Sequence, residues 1–77
     1  MNFRDAMDAL GLSADDVGRA IGRSAQHVRQ MRLDPAHPNH RPPPRDWRQI
    51  LGRVVREKCA ERIGLAEMIE REGEEGA

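Results

Sequence analysis

Gln26, Arg29 and Gln30 raise the first chemical question, because they interleave with Val28 and Met31 inside one short stretch. Successive residues of a helix advance by about 100°, so turning Val28 and Met31 inward sends Gln26, Arg29, Gln30 and Leu33 to the opposite side. That face carries amides and a guanidinium. Their two-pronged geometry matches base edges in the major groove of DNA, Gln with adenine and Arg with guanine. Ala25, small and near the start of the same helix, allows close backbone approach or contact with a thymine methyl. A polar solvated face has the same make-up, so face chemistry alone leaves both readings open.

The other reactive residue types build no site. His37 and His40 are three apart, but a structural zinc site needs four ligands, usually as two close pairs, and there is no second pair. No metal is expected. Cys59 is the only cysteine, so an intramolecular disulfide is excluded. It falls on a helical apolar stripe, where a lone cysteine is expected to be a small core residue rather than a nucleophile. The chain thus offers no catalytic residue and calls for no cofactor, and it is not expected to be an enzyme. Phe3 and Trp47 are the only aromatic residues, too few for the stacking platform that single-strand binders use.

The elements that must position the Gln/Arg face follow from spacing and caps. Phe3, Ala6, Met7 and Leu10 form the stripe of a first helix, with Gly11 as its stop. Ser13-Ala14-Asp15-Asp16 reads as a capping box that opens a second helix, striped by Val17, Ala20 and Ile21 and closed by Gly22. Ser24 caps a third, expected over Ala25 to Arg32. Residues 33–44 hold all five prolines and can be neither helix nor central strand. A loop of that length in a small domain is often functional, and this one leaves Arg41 close behind the third helix. Trp47, Ile50, Leu51, Val54 and Val55 then mark a fourth helix beginning near Arg45 or Asp46. Its stripe continues through Cys59, Ile63 and Ala66 to Ile69, either as one long helix or with a break near Gly64 and a fifth helix. Residues 70–77, with four Glu and no apolar period, are expected to be a disordered acidic tail after a domain spanning 1–69.

Seventy-seven residues make one small domain, too small for a large enzyme with an enclosed pocket. Basic and acidic residues both number 13, yet the zero net charge is a sum of two signed halves. Residues 1–56 carry ten Arg against six Asp, and residues 57–77 carry three basic groups against seven Glu. Between 19 and 56 nine Arg face only Asp34 and Asp46, the footprint of a domain that meets a polyanion. A single Lys and zero net charge argue against unspecific nucleoid packaging. No apolar run is long enough for a membrane span or a signal peptide, so a reducing cytoplasm is expected.

The segment ADDVGRAIGRSAQHVRQMRL, from Ala14 to Leu33, resembles the helix-turn-helix of Cro/CI-type (XRE-like) phage repressors. Val17 and Ile21 match the apolar positions of its first helix and Gly18 the small residue at the helix crossing. Gly22 matches the turn, and Val28 and Met31 the apolar positions of the recognition helix. Ala14 departs from the pattern, because a phosphate-contacting Gln is common there. The Pro-rich loop, with Arg41, Pro42 and Pro44, is similar in layout to that of small anti-CRISPR-associated phage repressors.

The resemblance implies an all-α, lambda repressor-like domain of four to five helices, with the Pro-rich loop before the C-terminal helix. It implies that Ser24, Ala25, Gln26, Arg29 and Gln30 face the groove, while Arg23, Arg32 and Arg41 are placed for phosphates. His27 falls between core and surface. The apolar surplus on Val55, Ile63, Leu65, Met68 and Ile69 points to a two-fold dimer interface, which would let paired recognition helices read a palindrome. The expected function is a sequence-specific transcriptional regulator of double-stranded DNA. Repression by occlusion is favoured over activation because the chain shows no second domain. The alternative is a protein-interaction module, such as an antitoxin or a subunit of a phage complex.

Overall fold

The computed structural model describes the backbone of residues 1–76 and the side chains of residues 1–74. Four helices follow in order, α1 Phe3–Leu10, α2 Ala14–Ile21, α3 Ala25–Met31 and α4 Trp47–Gly76, with no strand among the described residues. The chain is therefore a small all-α domain.

Each short helix is bounded by residues suited to its ends. The Asn2 side chain accepts the Asp5 N–H at 2.8 Å and opens α1. Gly11 closes it in the left-handed conformation, φ 66°. Ser13 and Asp16 form a reciprocal capping box, Ser13 Oγ accepting the Asp16 N–H at 3.1 Å and Asp16 Oδ2 accepting the Ser13 N–H at 3.2 Å. Gly22, φ 70°, ends α2, and Ser24 Oγ accepts the His27 N–H at 3.1 Å to open α3. Each cap satisfies orphan backbone groups at a helix end and contributes about 1 kcal/mol.

The core lies where α1, α2 and α3 meet the first two turns of α4. Met7, Val17, Val28 and Leu51 are its fully enclosed side chains, joined by Phe3, Leu12, Met31 and Val54. Trp47 sets its indole edge-on to Phe3 at 5.6 Å, and Arg48 lies over the indole at 4.2 Å. At the α2–α3 corner a β-carbon on Gly18 would stand 2.6 Å from the Arg23 carbonyl oxygen. Only a residue without one fits this crossing.

Of the two alternatives for the C-terminal stripe the structure has the single helix, without a break at Gly64. Several expectations are corrected. Helix α4 runs on through residues 70–76, which were expected to be disordered. Glu, Arg, Ala, Leu and Met are good helix formers, and an isolated glycine costs about 1 kcal/mol without ending a helix. Cys59 is exposed rather than in the core, and Ala20 is exposed on α2. Val55, expected in a dimer interface, is half-buried against the chain's own core. Ile63, Leu65, Met68 and Ile69 stand exposed on the part of α4 that projects from the body, which gives the molecule extents of 58 × 20 × 19 Å. No described helix is long and apolar enough to cross a membrane.

Candidate nucleic-acid interface

Helix α3 is anchored by buried Val28 and Met31, so its opposite side faces solvent, where Gln26 and Arg29 stand exposed. The other expected contacts are differently employed. Ala25 is half-buried and packs against the core, which leaves it a smaller part in any contact surface. Ser24 is exposed, with its oxygen engaged in capping α3.

Gln30 is half-buried, and its Oε1 accepts the Nε–H of Arg41 at 2.8 Å. The Gln30 carbonyl also accepts the backbone N–H of Arg41 at 3.2 Å. Side chain and main chain together fasten the returning limb of the Pro-rich loop to the end of α3. The Gln30 amide nitrogen and the terminal guanidinium nitrogens of Arg41 keep their donors for a ligand.

The loop is ordered by its own polar residues. His37 N–H donates to the Asp34 carbonyl at 2.8 Å and His40 N–H to the His37 carbonyl at 3.0 Å, making two turns in tandem. Asp34 Oδ1 accepts the Ala36 N–H at 2.8 Å, and His37 Nδ1 accepts the Asn39 N–H at 3.0 Å. Pro42 and Pro44 then line a shallow hollow with Ile21, Arg23, His27 and Met31. His37 and His40 are thus turn residues, and among the described residues no group of three or more potential metal ligands comes together.

Of the arginines expected at phosphates, Arg23 is exposed in the turn between α2 and α3. Arg32 instead reaches back across 24 residues to Asp8, Nη2 to Oδ1 at 2.5 Å. Sequence spacing gave no sign of that pair. Arg4 of α1 shares a hollow with Arg29 and Arg32. In the sequence it is one of the ten Arg of residues 1–56, with no spacing that ties it to α3.

Around α3 exposed Gln26 and Arg29, Arg4 in the hollow beside Arg29, Arg23 in the preceding turn and Arg41 on Gln30 offer guanidinium and amide donors. Asp8, by pairing with Arg32, and Asp34, by bonding within its loop, are the nearby carboxylates already engaged. Asp16 belongs to a different side, in the groove between α2 and α4. Lys58 Nζ lies 2.7 Å from its Oδ2, and this bond, followed by those from Ser13, holds the Asp16 carboxyl well below the usual carboxylate range.

Comparison of the chain with protein-family models, characterised proteins and solved structures finds no match.

Proposed function

We propose that the chain is a sequence-specific double-stranded DNA-binding transcriptional regulator of the Cro/CI helix-turn-helix type. It acts without catalysis in the cytoplasm, as a dimeric repressor of a palindromic operator. The observation that carries this reading is the exposed pair Gln26 and Arg29 on the side of α3 away from buried Val28 and Met31. Gln26 and Arg29 address base edges, with Gln30 beside them. Arg23 and Arg41 address the phosphates that flank the groove, and Arg32 joins them only by leaving Asp8. The crossing at Gly18 and the turn at Gly22 suit a helix pair of this type.

Selection of duplexes from a randomised pool, followed by fluorescence anisotropy at two salt concentrations, tests the reading. A preferred sequence bound about 10³-fold or more above a scrambled duplex, with affinity falling as salt rises, is the expected result. Equal affinity for all duplexes removes sequence specificity, and absence of binding at low salt removes DNA as the ligand. Activation through a surface patch is distinguished from repression by the sign of a reporter's response.

A second reading has its own observation. Ile63, Leu65, Met68 and Ile69 are 53 to 65% exposed on the projecting part of α4, which favours a protein-interaction module such as an antitoxin or a phage-complex subunit. Failure of all DNA binding would move that reading to first place.

A further inference from the structure

Helix α4 turns Trp47, Leu51 and Val54 toward the body of the domain. On a flank of the helix, about 120° round from that side, Gly52, Arg56, Cys59, Ile63, Ala66 and Glu70 follow one another at alternating four- and three-residue spacing, which keeps them on one face. All are exposed except Gly52, which is half-buried. The face is signed along its length. Exposed Arg53 and Arg56 mark one end and exposed Glu67 and Glu70 the other, with Cys59, Ile63 and Ala66 between them. Among the described residues the ion pairs are Arg19–Asp16, Arg32–Asp8 and Lys58–Asp16, and none engages these four charges.

We propose that this face pairs with the same face of a second copy of the chain, the two α4 helices running antiparallel. The proposal rests on the dimeric part of the function above, independently of DNA. Antiparallel pairing sets Ile63 of each copy opposite Cys59 of the other and brings Arg53 and Arg56 alongside Glu67 and Glu70. Parallel pairing would set Arg56 on Arg56 and Glu70 on Glu70, whereas antiparallel pairing brings only exposed Arg62 near its own copy, so the balance of charge favours the antiparallel orientation. The small residues Gly52, Cys59 and Ala66 let the helix axes approach closely.

The body packs about 120° round α4 from this face, so the pairing uses exposed residues and half-buried Gly52 and no core contact has to open. Leu65 and Met68 belong to another face. They continue the body-facing side of α4 in register with Leu51, Val54 and Lys58, and so lie off this seam.

Sedimentation equilibrium of the full chain across the micromolar range tests the pairing. The expected mass is twice 8.7 kDa. Arg53→Glu with Arg56→Glu weakens the dimer about 10-fold or more, because four ion pairs per dimer become repulsive. Adding Glu67→Arg and Glu70→Arg restores it to within about 3-fold. Unchanged circular dichroism in these variants excludes unfolding as the cause.

A chain that stays monomeric throughout overturns dimerisation and this pairing together. A dimer indifferent to the reversals, or one not restored by the fourfold exchange, overturns the pairing alone. The same holds for a dimer lost in Leu65→Ser with Met68→Ser.

Discussion

Arg29 and Arg41 share a side-chain type, and their settings separate their roles. Arg29 stands free on α3, whereas Arg41 is held through its Nε by Gln30. Under the proposed function Arg29→Ala costs about 1–3 kcal/mol of binding and relaxes preference at one base pair, measured against single-base-pair variants of the preferred duplex. A loss equal on every sequence would remove it as a reader. Arg41→Ala lowers affinity evenly and reduces the salt slope by about 1.

Asp16 supplies a prediction about pH. Lys58 and Ser13 hold its folded carboxyl below the unfolded value of about 3.9. Its charged form therefore stabilises the fold above that value, and the contribution is lost as pH falls through the unfolded and toward the folded value. Denaturant midpoints should show Asp16→Asn well below the wild type near neutrality, with the gap narrowing in acid. A gap independent of pH would exclude this role.

At the scale of elements the glycines divide by surroundings. Gly18→Ala gains about 1 kcal/mol of helix propensity but drives a β-carbon into the Arg23 carbonyl oxygen, for a net loss of about 1–2 kcal/mol. Gly64 meets nothing within 4 Å and lies on the projecting part of α4, so Gly64→Ala, worth up to about 1 kcal/mol of helix propensity, raises the helicity of that part. Thermal melts should show Gly18→Ala lowered, and circular dichroism should show Gly64→Ala more helical with its melting midpoint little changed. The caps at Ser13 and Ser24 and the stops at Gly11 and Gly22 were legible in the sequence because they act within three or four residues. The Asn2 cap acts over the same three residues. Arg32–Asp8 and Arg41–Gln30 were not legible, since they depend on where the helices and the loop come to rest. The end of α4 was misjudged for another reason: composition marked its Glu residues as a solvated tail, whereas Glu also propagates a helix already begun on a packed first half.

The whole molecule is a small body with a long projecting helix, and its stability should be distributed accordingly. Among the described residues the last buried side chain is Val54, Lys58 makes the last ion pair to the body, and Cys59 to Glu74 are all exposed. Amide hydrogen exchange in dilute solution should show protection that falls sharply after Lys58. Raising the concentration should extend protection along Cys59 to Glu70 if α4 pairs as proposed. Uniform protection of α4 at all concentrations would contradict the dimer as its source.

The same projection has a mechanical consequence. Beyond Lys58 the remaining turns of α4 form an arm of about 27 Å, clamped to the body where Lys58 meets Asp16. A tilt of about 10° at that clamp displaces the tip by about 5 Å. The packed turns around Leu51 and Val54 are therefore the fulcrum of a lever, and a shift of less than an ångström where Lys58 meets Asp16 is magnified severalfold at the far end of the helix.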